Sequence, residues 1–292
     1  MRSVDQQEVK NISSDSGLEA RIEEALQAAL VALAPHIPGQ VNVEYKQGDD
    51  PVTEADRAVN VALQEKLLRE GEGWFSEETV DDFERLGKGR VWIVDPLDGT
   101  REFVAGIPEW CISVAAVEEG EVVAGGICNP ATREIFLGSA RLGLIYNGQP
   151  GRASQRKALQ GASILASRSE IKRGEWRKFE GQPFEIRPTG SVAYKLALVA
   201  AGLADATWTL CPKHEWDIAA GVALVLAGGG IVRTLDNSPL SFNNREALLP
   251  GLIACGPNLD QPLQTLLAEF ISGSISEPTP GPHDKRGCTD GL

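Results

Sequence analysis

The run Val91-Trp92-Ile93-Val94 leads straight into Asp95-Pro96-Leu97-Asp98-Gly99-Thr100, and the rest of the chain is organised around that junction. The four apolar residues read as a buried strand that stops at Asp95 and hands over to a helix. Pro96 fixes its own φ and forces Asp95 into an extended conformation, while Gly99 accepts backbone angles closed to other residues. The turn between the two acids is therefore largely predetermined. Two carboxylates held three residues apart are oxygen ligands for a hard divalent cation such as Mg²⁺. The amides around Gly99 and Thr100, opening a helix, suit a phosphate oxygen. A plain Asp-Gly turn with a capping aspartate is the alternative. Two acids, a proline and a hydroxyl crowded behind a buried strand favour the metal–phosphate reading.

The 292 residues fit one large α/β domain or two intimately packed halves. A formal charge of −13, from 41 acids against 28 bases, excludes a nucleic-acid polymer or an anionic membrane surface as partner. Small anions remain possible where bound cations invert the local field, which again points to metal at the carboxylates. The five cysteines are scattered, odd in number and form no C-x-x-C pair, so reduced thiols in the cytoplasm are expected. The polar start from Met1 to Glu19 lacks an apolar signal core, and no apolar run reaches the length of a membrane span, so a soluble, unexported protein is expected. Three histidines, His36, His214 and His283, do not suit a histidine-rich zinc or iron site.

Helical spacing predicts amphipathic helices from Leu18 to Ala34 and from Glu54 to Arg69. Thr53-Glu54-Ala55-Asp56 reads as a helix cap, which assigns Asp56 to capping and leaves the preceding Asp50 free for other work. Trp74-Phe75-Ser76-Glu77-Glu78 brings two adjacent acids behind apolar residues, one able to face a buried site while the other faces away. Asp81-Asp82-Glu84 reads as a solvated loop. Strands are predicted over Cys111 to Val117, Val122 to Cys128, Arg133 to Gly138 and Leu142 to Tyr146, an antiparallel series. Gly151 to Gly161 reads as a connection.

Beyond it come strands at Ser163 to Ala166, Phe184 to Arg187, Ala206 to Thr209, Ile231 to Arg233 and Leu252 to Ala254. Helices at Ser191 to Leu203, Trp216 to Ala227 and Pro262 to Ile271 fill the gaps. The expected organisation is an N-terminal α+β half (1–155) carrying the metal site, a C-terminal α/β half (156–272) closing the substrate site, and a disordered tail (273–292). Gly190-Ser191 and Trp216-Asp217 put amides and a carboxylate at helix starts, where ligands bind in α/β sheets, although Asp217 alone would serve as a simple N-cap.

Four stretches, Asp50-Pro51-Val52-Thr53-Glu54-Ala55-Asp56, Ser76-Glu77-Glu78, Asp95-Pro96-Leu97-Asp98-Gly99-Thr100 and Trp216-Asp217-Ile218-Ala219-Ala220-Gly221, resemble the inositol monophosphatase superfamily in order and spacing from about Leu18 to Phe270. That family comprises Mg²⁺-dependent, lithium-sensitive phosphomonoesterases. The resemblance implies a layered αβαβα sandwich of sugar-phosphatase type and two or three Mg²⁺ ions. It matches Glu77, Asp95, the Leu97 carbonyl, Asp98 and Asp217 to metal ligands and Glu78 to an accompanying acid. Thr100 with Asp50 matches the pair that orients the attacking water. Gly99 and Thr100 match the phosphate-binding amides, with Gly190, Ser191 and Asp217 at the substrate. It implies direct attack of an activated water, with no covalent intermediate and no catalytic histidine.

For the substrate, inositol monophosphatases commonly carry an acid seven residues before the Trp-Asp aspartate, where this chain has Leu210. Thr100-Arg101-Glu102-Phe103, Ser167-Arg168-Ser169 and Pro212 look instead like the 3'(2'),5'-bisphosphate nucleotidase branch, which acts on adenosine 3',5'-bisphosphate. Arg168, Lys195 and Lys213 could meet its second phosphate, or serve as solvated surface bases. Inositol or another sugar monophosphate is the runner-up. A metal-holding module that hydrolyses nothing is the non-enzymatic alternative, against which the completeness of the ligand set argues. Many members are homodimers, so a homodimer is possible here.

Overall fold

The computed structural model describes residues 17–45, 51–236 and 238–272. Helix α1 (Leu18–Leu33) buries Leu18, Ile22, Ala25, Leu26, Ala29 and Leu33. A two-stranded antiparallel pair follows, β1 (Glu44–Tyr45) with β2 (Pro51–Val52), and then α2 (Glu54–Leu67), which buries Ala55, Val59, Leu63 and Leu67. Both stripes recur every three or four residues, so each helix has one apolar face, and each buried Leu or Ile contributes about 1.5–3 kcal/mol. The α2 end falls two residues short of Arg69, because Leu68 takes an extended backbone with ψ 126°.

A seven-stranded sheet runs in chain order through β3 (Gly73–Ser76), β4 (Arg90–Asp98), β5 (Cys111–Glu118), β6 (Glu121–Asn129), β7 (Glu134–Ser139), β8 (Gly143–Tyr146) and β9 (Gln149–Gly151). The pair β3 and β4 is parallel and the others are antiparallel. Short helix α3 (Thr100–Ala105) follows β4. The central strand does not stop at Val94 as the sequence suggests. It continues through Asp98, with a register shift against β5 between Asp95 and Asp98, so the two acids belong to a bulged strand end rather than to a free turn.

The second half holds β10 (Ser163–Ser167), α4 (Arg168–Arg173), β11 (Glu185–Thr189), α5 (Val192–Ala200), β12 (Ala206–Trp208), β13 (Lys213–His214), α6 (Glu215–Ala227), β14 (Ile231–Thr234), β15 (Leu248–Leu249), β16 (Leu252–Cys255) and α7 (Asp260–Ser272). Five of the strands form a mixed sheet ordered β11-β10-β12-β16-β14, and β13 pairs with β15. Helix α4 and the two-stranded pairs have no counterpart in the sequence reading. The expected tail from Gly273 lies outside the described residues.

The alternation of β4 explains the layering. Trp92 and Val94 pack with α1 and α2 on one face, while Val91 and Ile93 pack with α5 and α6 on the other. Helices α5 and α6 are apolar nearly all round because they also carry the second sheet, meeting Leu165, Leu252 and Ala254. Trp176, Phe179 and α7 residues Leu263, Leu266 and Leu267 cover that sheet's far side. The result is an αβαβα stack. Two glycines let the helices approach: a Cβ at Gly125 would stand 2.7 Å from the Ala220 carbonyl of α6, and one at Gly126 would collide with Ile22 of α1.

In the acidic run Asp82 and Glu84 are exposed as expected of a solvated loop, whereas Asp81 departs from it by pairing with the buried Arg85 at 2.8 Å. Among the described residues all four cysteines are free and buried, and no helix is long and apolar enough to cross a membrane.

Candidate active site

The end of β4, the turn after β3 and the first turns of α5 and α6 meet at one cavity of about 340 Å³. Asp95 is fixed locally, since its Oδ1 accepts the Leu97 amide at 2.9 Å. Gly99 has φ 95°, and a Cβ there would stand 3.0 Å from the Glu109 carbonyl, so only glycine turns the chain into α3 at this point. Asp98 reaches across to the second half: its Oδ2 accepts the Ser191 hydroxyl and the Ala193 amide, both at 2.6 Å. It thereby serves the start of α5 as well as the cavity. Asp217 accepts the His214 amide at 3.0 Å, so its capping role and its place at the cavity coexist. The Glu77 amide donates to the Val94 carbonyl at 3.3 Å, which seats that glutamate beside Asp95.

Glu77, Asp95, Asp98 and Asp217 thus line one cavity together with Leu97, Gly99, Thr100, Gly190 and Ser191. Burial, then the charges of Glu77, Asp98 and Asp217, drive the Asp95 carboxyl well above the usual carboxylate range. Asp217 is raised in the same way by burial and by Asp98, against the pull of Lys213. Asp98 is raised by burial, although Ser191, Ala193, Lys195 and Lys213 oppose the rise. An excess of convergent carboxylates with a nearby carbonyl is the donor set that Mg²⁺ takes, so the residues fit that ion. The same set does not suit a soft metal, which wants thiolate or imidazole.

Asp50 lies outside the described residues. The Thr100 hydroxyl lies 3.1 Å from Asp56 Oδ1 and 3.0 Å from the Leu97 carbonyl, so its single proton has two acceptors. Asp56 is therefore more than a cap: its Oδ2 completes the capping box with Thr53, and its other oxygen serves Thr100. Glu78, expected as an accompanying acid, is not among the residues lining the cavity. It lies toward Asp56, where its charge adds to burial in raising that carboxyl.

The bases sit where the sequence reading wanted them, but in a different state. Lys195 and Lys213 line the cavity while being 1% and 4% exposed, which removes them from the class of solvated surface bases. Burial and then the charge of Lys213 lower the Lys195 ammonium. Arg168 also lines the cavity, yet Glu109 takes its Nε at 2.5 Å and its Nη2 at 2.7 Å and accepts the Gly190 amide at 2.7 Å. Sequence reasoning missed Glu109, which is separated from its partners by an entire sheet's worth of chain. It also missed Glu102 in this role, although Glu102 stands within the motif: the acid lines the cavity, packs against Gly190 and is raised by burial and by Asp98. Leu210 stands as the sequence has it, its amide bonded at 3.2 Å to the buried Glu170.

Similarity to known proteins bears on the same arrangement. The inositol monophosphatase family matches residues 14–272. An inositol-1-monophosphatase of Rhizobium meliloti (strain 1021) is 36% identical over 199 residues, covering 65% of this chain and 74% of that protein. The extragenic suppressor protein suhB from Bartonella henselae superposes with a TM-score of 0.74 at 27% identity, over 86% of this chain and 98% of that one. CysQ from Bacteroides thetaiotaomicron, described as a bacterial member of the inositol monophosphatase family, gives 0.69 at 27% identity, over 85% and 99%.

Proposed function

Because the chain belongs to the inositol monophosphatase family, a family of phosphatases, we propose that it is a Mg²⁺-dependent phosphomonoesterase that removes the 3'-phosphate of adenosine 3',5'-bisphosphate. The observation that carries the substrate choice is the pair of lysines: Lys195 and Lys213 are buried at the same cavity as the acid cluster, while Arg168 beside them is held by Glu109. The acid cluster already offsets part of that positive charge, and a second substrate phosphate would meet the same two ammonium groups across the cavity. Leu210, standing where inositol monophosphatases commonly carry an acid, supports the same choice.

Glu77, Asp95, the Leu97 carbonyl, Asp98 and Asp217 would hold the ions, two or three in number. When bound, Mg²⁺ supplies Lewis-acid activation of water and neutralises charge on the phosphoryl group. The chain's own groups do the positioning. The Thr100 hydroxyl, whose proton goes to Asp56 or to the Leu97 carbonyl, keeps a lone pair to accept a hydrogen bond from the attacking water. The family resemblance assigns Asp50 to the same water. The Gly99 and Thr100 amides receive a phosphoryl oxygen, and Gly190 and Ser191 border the leaving group. Lithium inhibition, a cytoplasmic location and pairing into a homodimer belong to the same reading.

The runner-up is inositol 1-phosphate or another sugar phosphate, favoured by the likeness to the Rhizobium meliloti inositol-1-monophosphatase. Comparison of kcat/KM for adenosine 3',5'-bisphosphate, inositol 1-phosphate and fructose 1,6-bisphosphate at one Mg²⁺ concentration separates them. The bisphosphate nucleotide is expected to lead. A clear preference for inositol 1-phosphate reverses the substrate assignment, and no phosphate release from any of the three removes the enzymatic reading.

A further inference from the structure

Glu77 and Asp217 reach the cavity on separate elements, one behind β3 and one in the first turn of α6. They bring two carboxylates to one cavity, so two like-charged elements must be held together by something outside the cluster. Arg85 is placed to do this. It is only 2% exposed, and its guanidinium carbon lies 3.5 Å from the centroid of the Phe75 ring, two residues before Glu77. Its Nη1 donates to Asn243 Oδ1 at 2.6 Å and its Nη2 to the Asn244 carbonyl at 2.8 Å.

From there the path returns to α6. The amides of Asn243 and Asn244 donate to the buried Glu215 at 2.6 and 2.8 Å, and Asn244 Nδ2 adds a third bond at 2.8 Å. Glu215 is the first residue of α6, two before Asp217. Trp216, between them, packs edge-on against Phe75 with ring centroids 5.1 Å apart. The contacts close a ring: Arg85, Phe75, Trp216 and Glu215, the Asn243-Asn244 turn, and Arg85 again. Burying a guanidinium this deeply is a poor way to gain stability alone, since an apolar residue would do as well or better.

We propose that Arg85 is a positioning residue for the metal centre, fixing through this ring the separation of Glu77 and Asp217 and thereby setting the affinity for Mg²⁺. The inference rests on the ligand assignment made above. Groups that orient ligands from behind are worth about 10–100-fold in metal affinity, and Arg85, one step further back, belongs at the lower end.

Calorimetric titration of Mg²⁺ into the full-length protein, without substrate, tests this in wild type, Arg85→Lys and Asn243→Gly. Asn243 has φ 61°, which glycine adopts without strain, so Asn243→Gly removes the acceptor of Nη1, keeps the Asn244 carbonyl and Asp81 as partners of the arginine, and leaves the turn intact. Both variants are expected to bind Mg²⁺ about 10-fold more weakly. The metal-free melting point should fall in Arg85→Lys and move by no more than about 2 °C in Asn243→Gly. A role confined to packing would lower melting points and leave the Mg²⁺ dissociation constant alone. Wild-type affinity in Asn243→Gly therefore overturns the proposal even where Arg85→Lys is too unstable to titrate. A wild-type protein that takes up no Mg²⁺ overturns the ligand assignment and this inference with it.

Discussion

The two ends of β4 treat charge in opposite ways. At the Arg90 end, Glu72 accepts from Arg21 Nη1 at 2.9 Å, from Arg90 Nη1 at 3.3 Å and from the Trp92 indole at 2.9 Å, while Glu118 accepts Arg90 Nε at 2.7 Å. Burial pushes Glu72 upward, but these donors hold it below its ordinary value. At the Asp98 end the acids crowd one another, and Asp95 is driven well above the carboxylate range. A carboxylate that the fold needs comes with its donors. Those at the cavity have donors too, but burial and like charge outweigh them, and such a deficit of positive charge in a cleft is the pattern of a candidate functional site.

Asp95→Asn attacks the contrast at its sharper end. Phosphate release is expected to fall by about 100-fold or more in kcat/KM. The metal-free melting point should stay level or rise, because a neutral amide relieves like-charge crowding. Near wild-type turnover at saturating Mg²⁺ would show that the deficit has no catalytic meaning. Glu72→Gln probes the other end. Breaking a pair whose side chains are 6% and 11% exposed should cost about 3 kcal/mol in urea unfolding, with kcat/KM within about twofold of wild type. Lost turnover with intact stability would erase the distinction between the two ends.

The smallest effect is in pH. Because the folded value of Glu72 lies below its ordinary 4.5, its contribution is fully present above that pH and is lost as pH falls through the folded value. Acid unfolding of wild type should therefore steepen below about pH 4.5 relative to Glu72→Gln. Parallel curves for the two proteins would mean that Glu72 carries no such charge-linked stabilisation.

Most of what local sequence can encode was legible. The apolar stripes of α1 and α2, the hairpin of β5 and β6, and the acids behind β4 all follow from spacing, proline and glycine. The failures concern partners far apart in the chain. The strand continues through Asp95 because β5 pairs with it, and a pairing register is not written in one strand. Arg85 draws no reading from the sequence because Phe75, Asn243 and Asn244 come together around it only in the folded chain. Arg168 reads as free for phosphate because nothing near it in sequence announces Glu109. The cap read for Asp56 is present but is only half of its role, since its second oxygen meets Thr100 from another element.

The grip of Asp98 on Ser191 and Ala193 has a consequence for the newly made chain. During synthesis Asp95 and Asp98 leave the ribosome well before Ser191, and Asp217 comes later still. Until then the early acids have neither the α5 amide that orients one of them nor the carboxylate that completes the set. A nascent chain therefore carries Asp95 and Asp98 before their α5 donors and the Asp217 carboxylate exist. The four acids come together only when α5 and α6 fold back onto the end of β4, which lies 93 residues earlier than Ser191.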